Sequence, residues 1–198
     1  MRIRNRAVFM FLVFGFPTIV SVGQTLGQDS DTNRQIISLM ARKKTGDYDN
    51  YTNAAFNFRL GVNGNDAVRN PRNEWDLLYG SISLNGDRDW FTVAFGRGDR
   101  SRIKELGELN WTDHIEIPVL PACSEEDDSC TRVMFPSRSS GKSFTEVNAH
   151  VARAAIGRMY LVHKKNRDAD FYALFRVEAL EPNETCRISW KLIPSPEQ

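Results

Sequence analysis

Histidine and cysteine are scarce in this chain, with three of each among 198 residues. No CxxC pair and no HExxH pair occurs, which removes the metal sites that spacing alone can announce. There is no GxSxG elbow, so the commonest strained turn for a nucleophilic serine is missing. Charge of one sign is also lacking. Lys and Arg number 26 against 25 Asp and Glu, spread along the chain. Such a balance carries no footprint for nucleic acid or an anionic membrane. No segment repeats internally. No apolar run reaches the roughly 20 residues of a membrane-spanning helix. The longest, "AVFMFLVFGFPTIVSV" from Ala7 to Val22, is interrupted by Gly15 and Pro17.

What precedes that run gives it a meaning. "MRIRNR" supplies Arg2, Arg4 and Arg6, and a charged start before a short apolar stretch is the pattern of a secretory signal peptide. Ser21 and Gly23 sit two apart, which places cleavage after Gly23, with Gly27 as the alternative. No Cys lies near the cleavage point, so a lipid anchor is not expected, and no adjacent Arg pair suggests a twin-arginine route. Removing the three leader arginines takes the formal charge from +1 to −2. The expected organisation is a signal peptide over 1–23, a partly helical lead-in over 24–50, a β-rich domain over 51–193 and a tail over 194–198. The expected destination is the bacterial periplasm or the exterior. The length suits one domain with an ample core.

An odd cysteine count in an exported chain implies one bridge and one leftover thiol, with three possible pairings. Cys123 and Cys130 are the disulfide candidates, because "CSEEDDSC" closes a short loop whose four acids, Glu125 to Asp128, would otherwise splay it. A loop of that size gains roughly 2.5 kcal/mol at most by the chain-entropy model. Cys186 falls in a strand pattern and reads as a core residue. A metal held by Cys123, Cys130 and the acids is the sharper reading, but no histidine lies close in sequence.

The periodicity divides the chain. "DSDTNRQIISLMARKKTG" reads as a helix, capped by Asp31 or Thr32, with Ile36, Ile37, Leu39 and Met40 on one side. Period-two alternation follows at Phe56, Phe58 and Leu60, over Trp75 to Leu84 with Gly80 as a bulge, and over Trp90 to Phe95. Asn85-Gly86 favours a tight hairpin turn. A second short helix is expected over "SRIKELGELNW", from Ile103, Leu106 and Leu109, with Asp99 or Ser101 as its cap. Short strands are expected over Ile115 to Leu120 and in "TRVMFP", whereas "EVNAHVARAAIG" fits helix or strand. The last third, "MYLVHKK", "FYALFRVEAL" and "TCRISWKLI", is a three-stranded antiparallel meander with one apolar face.

Several motifs fail on inspection. Arg97-Gly98-Asp99 spells an adhesion tripeptide, but a turn followed by a cap explains it without a partner. Gly141-Lys142-Ser143 ends like a phosphate-binding loop, yet Pro136 stands where its first glycine belongs. Asn166, Asp168 and Asp170 have calcium-loop spacing without the glycine and distant Glu such a loop needs. Glycosylation sequons begin at Asn50, Asn110 and Asn183. The histidines are His114, His150 and His163, and His163 shares a strand face with Met159 and Leu161.

Two stretches, "IKELGELNWTDHIEIPVLP" (Ile103 to Pro121) and "GRMYLVHKKNRDADFYALFRVEALEPNETCRISWKLIPSP" (Gly157 to Pro196), resemble uncharacterised exported proteins of planctomycete-type bacteria. That resemblance implies export and no particular activity. "FNFRLG" from Phe56 to Gly61, "WDL" from Trp75 to Leu77 and the late hairpin are similar in layout to HmuY-like haem-binding proteins. That likeness implies an exported all-β carrier whose haem is held by histidines. No ligand position of that family aligns with a histidine here, and His163 is the best-placed candidate. The expectation is therefore a mainly β protein, a single antiparallel β-sandwich or barrel-like domain with a short N-terminal helix and one short interior helix. Its expected role is a non-enzymatic binding or interaction module of the cell envelope or periplasm, contacting a protein or small ligand and no nucleic acid. The alternative is a haem or small-ligand carrier. No catalytic residue, metal site or membrane span after signal removal is expected.

Overall fold

The computed structural model describes residues 34–64, 75–96, 98–124, 126–130 and 141–196. The signal peptide with both cleavage points, the cap candidates Asp31 and Thr32, the strand expected in "TRVMFP" and the adhesion-motif Arg97 lie outside the described residues.

In chain order the elements are β1 (Gln35–Met40), β2 (Lys44–Thr45), β3 (Tyr48–Asp49), the single-turn helix α1 (Tyr51–Ala54), β4 (Ala55–Asn57), β5 (Val62–Asn63), β6 (Leu77–Tyr79), β7 (Trp90–Val93), β8 (Phe95–Gly96), β9 (Asp99–Arg100) and β10 (Arg102–Glu108). Then come a 3-10 turn at Asp128–Cys130, β11 (Val151–Arg153), β12 (Arg158–Lys165), β13 (Asp170–Glu181) and β14 (Thr185–Ile193). Two five-stranded antiparallel sheets result, ordered β1-β14-β13-β12-β10 and β11-β7-β6-β4-β5. The protein is mainly β, as the alternation implied.

The two sheets share one core. Tyr160 and Val162 of β12, Phe175 and Val177 of β13, and Ile188 and Trp190 of β14 meet Phe56, Tyr79, Phe91 and Val93 of the opposite sheet. Aromatic edges interlock there. Phe91 meets Phe175 at 4.9 Å between centroids, and Phe56 meets Trp190 at 5.2 Å. Large rings bury much apolar area for few rotatable bonds, and edge-to-face pairs add to that burial. At one corner Ile103 donates its N–H to the Ala149 carbonyl, and at the other Asn63 donates its side-chain amide to the Ser38 carbonyl. Both sandwich flanks are thereby partly closed.

Both expected helices are corrected to strands. The N-terminal helix is β1, paired with β14 from Gln35↔Trp190 to Met40↔Thr185. Its four apolar residues fit either period. Pairing satisfies the otherwise open backbone edge of β14, and that tertiary gain overrides local propensity. Leu39 is fully buried while Ile36 and Met40 stay exposed, the signature of period two. This pairing also carries the β domain back from residue 51 to Gln35. The interior helix is β10, paired with β12. A bulge between Glu105 and Gly107 adds one residue, so Ile103 joins the inter-sheet core while Leu106 and Leu109 pack on the other face. The inserted residue imitates helical spacing.

The segment 109–122 is the third correction. Ile115 to Leu120 forms no ladder. Instead, Leu109, Trp111, Ile115, Ile117 and Leu120 lie over Met159, Leu161, Tyr172 and Leu174. This strap gives the meander a second apolar face, where one was expected. Arg176 holds the outgoing end, donating Nε to the Leu109 carbonyl at 2.7 Å and Nη2 to Asn110 Oδ1 at 3.1 Å. Trp111 Nε1 donates to Ser189 Oγ at 2.7 Å. The strand expected over Trp75 to Leu84 is shortened to β6, Leu77–Tyr79, and the chain turns at Gly80 with φ +72°. The Asn85-Gly86 turn has φ of 54° and 85°, and Leu84 bridges Asp87 across it.

Candidate functional site

The core's two ends are closed by buried polar clusters. At one end Tyr79 donates its hydroxyl to Asp89 Oδ1 at 2.5 Å, and the same oxygen accepts the Asn183 N–H at 2.8 Å. Burial pushes the Tyr79 phenol up, and the hydrogen bond and charge of Asp89 push it further, so the hydroxyl stays protonated and donating.

The other end holds Lys164, Asp99 and Asp76. Lys164 follows Tyr160 and Val162 on the inward phase of β12, and its side chain is 2% exposed. Its Nζ lies 2.6 Å from Asp99 Oδ2 and 3.9 Å from Asp76 Oδ1. Asp76 is buried, and its Oδ2 accepts the Phe58 N–H at 2.8 Å. Burial raises Asp76 to about 6, against the pull of Lys164. Asp99 Oδ1 accepts from the Ser101 N–H at 3.0 Å and the Ser101 hydroxyl at 2.5 Å. An amine, two carboxyl groups and a hydroxyl therefore converge where little water reaches.

This cluster locates the adhesion tripeptide. Gly98 has φ +87° in the β8–β9 hairpin, so the turn is present. Asp99 caps no helix, because β10 follows; its carboxylate turns inward to Lys164 and Ser101. Sequence reasoning missed Lys164 and Asp76. The available signal was a lysine on the apolar phase of a strand, a position that charged residues occupy only when paired.

The histidines do not converge. His114 is exposed. His150 is fully buried, stacked on Phe95 at 4.1 Å, with Nδ1 3.0 Å from the Ser129 carbonyl. Burial holds its pKa below the usual imidazole value, although the bond to Ser129 pulls the other way. The ring of His163 stacks on Tyr172 at 4.2 Å. Its Nδ1 lies 2.7 Å from the Leu120 carbonyl and its Nε2 3.0 Å from Asp170 Oδ1. Both nitrogens of the haem-ligand candidate therefore face protein acceptors, and Nδ1 together with the Tyr172 hydroxyl anchors the strap's return at the Leu120 carbonyl.

Cys123 and Cys130 are joined in a disulfide, with Cα atoms 5.6 Å apart, and Cys186 is a buried thiol. Burial pushes that thiol well above its ordinary value. Within the loop, the Ser129 hydroxyl and N–H hold Asp127 below the usual carboxylate range, and Arg102 lies 3.2 Å away. Among the described residues no three of His, Cys, Asp and Glu come together as a metal site. The sequon amides have structural work. Asn50 donates to the Ala41 carbonyl, Asn110 accepts from Arg176, and Asn183 accepts the Arg88 N–H.

Two open concavities lie on the surface of the described residues. One, of about 300 Å³, lies among Lys43, Lys44, Arg88, Asn183 and Glu184. Another, of about 500 Å³, lies between β10 and the strap residues Glu116 to Val119. Compared with protein-family models, curated proteins and solved structures, the chain matches none.

Proposed function

We propose that this chain is exported, loses its leader after Gly23, and works as a non-enzymatic interaction module of the cell envelope or periplasm, meeting its partner with its outer surface. One observation carries the reading. Interlocked rings fill the space between the sheets, and polar clusters close its two ends, so among the described residues a ligand finds open surface rather than an interior. A disulfide fits an oxidising compartment. No helix among the described residues is long and apolar enough to cross a membrane.

The test is the size of the native species. Protein extracted gently from its own envelope fraction is expected to begin at Gln24 and to elute in an assembly larger than the purified chain. A lone monomer in that extract, at the same elution volume as the purified chain, contradicts the reading.

A further inference from the structure

The Asp99 carboxylate is asymmetric. Oδ1 is clamped by two donors from Ser101, at 3.0 and 2.5 Å, while Oδ2 faces the Lys164 amine at 2.6 Å. A second carboxyl group, Asp76, stands 3.9 Å from the same nitrogen. Acyl transfer to an amine needs parts of these kinds: a nucleophile held beside the carboxyl group, donors on the oxygen that gains charge, and an acid–base group for the protons. We propose that Lys164 and Asp99 condense into an intramolecular amide cross-link, with Asp76 relaying the protons.

The step balances without any co-reactant. The ammonium of Lys164 first gives a proton to the Asp99 Oδ2 side. The Nζ lone pair then attacks Asp99 Cγ, and the C=O π pair moves to Oδ1, where the N–H and O–H of Ser101 hold it. Asp76 takes a second proton from nitrogen and delivers a proton to Oδ2. The Cγ–Oδ2 bond breaks, one water leaves, and the Nζ–Cγ amide remains. No electrons are transferred to or from the chain.

Two physical arguments favour this over a resting ion pair. A buried ion pair keeps two charges out of water at a desolvation cost, and condensation turns both into one neutral amide. Fixing amine and acid in contact also replaces a bimolecular encounter, an effect worth effective molarities of about 10⁵ M or more in well-oriented systems. Burial raises Asp76 to about 6, which suits a group that must both accept and donate a proton. The link would fasten the β8–β9 hairpin to β12, which lies between β13 and the edge strand β10, independently of any partner at the surface.

Intact-mass spectrometry of the reduced, denatured wild-type chain tests this without relying on a variant. The expected mass is one water below that of the sequence. Trypsin should release a branched peptide joining Gly98–Arg100 to Met159–Lys165 through Lys164. Lys164→Arg, which keeps the charge pair but cannot form this amide, should have its full mass, and Asp76→Asn should be largely unlinked. A wild-type chain at full mass overturns the proposal. So does a water loss that persists in Lys164→Arg or maps to another residue. An Asp76→Asn chain linked as fully as the wild type overturns the relay role of Asp76.

Discussion

Gly80 and Gly86 share a left-handed backbone but sit in different surroundings. At Gly86, φ is +85° and a Cβ would meet nothing within 4 Å. At Gly80, φ is +72° and a Cβ would lie 2.7 Å from Ala41 Cβ and 2.8 Å from both Ala41 Cα and the Arg42 nitrogen. That contact is with backbone, because Arg42 donates its N–H to the Tyr79 carbonyl at 3.0 Å. Gly86→Ala should therefore cost about 1 kcal/mol, the ordinary penalty of a left-handed residue bearing Cβ. Gly80→Ala should cost about 3 kcal/mol or more, because the segment leaving β1 must move as well. Urea unfolding midpoints compare the two. Equal losses would mean that Ala41 is not packed on Gly80.

At the scale of elements, the strap is the least regular and most consequential part. Trp111 ties it to β14, donating to Ser189, whose hydroxyl donates in turn to Glu178, while Lys191 lies 5.2 Å from the Trp111 ring centroid. Trp111→Ala removes the apolar cover and the bond together and should cost about 2 kcal/mol. Limited proteolysis should then cut within 109–122 before any strand of the sheet. A strap that stays protected at unchanged stability would show that Arg176 and His163 suffice to hold it. This is also where the sequence was hardest to read. The meander β12–β13–β14 was legible because alternation and turn residues agree. β1 was not, because "QIISLM" fits both periods and only its pairing with β14 decides between them. β10 was hidden by its bulge, and the strap by apolar spacing that serves no ladder. The disulfide was legible from its short acidic loop. The Asp76–Asp99–Lys164 cluster was not, since its members lie far apart in sequence and only the fold brings them together.

For the whole molecule, the described residues fill the inter-sheet space and cap its two ends, which is why we propose that any recognition uses the outer surface. Phe56, Phe58, Phe91, Tyr160, Phe175 and Trp190 occupy the middle, with Tyr79–Asp89 at one end and Lys164 with its two aspartates at the other. A haem ring between the sheets would have to displace several of these rings, each costing several kcal/mol to remove. Axial ligation would require His163 to release either the Leu120 carbonyl or Asp170, or His150 to leave its fully buried stack on Phe95. The most direct measurement is a haem titration of the purified chain, followed in the Soret band beside a His163→Ala variant. A filled core should give a broad, unsaturating change that the substitution leaves alone. A sharp, saturable one-to-one complex weakened by His163→Ala would contradict it and make the protein a carrier.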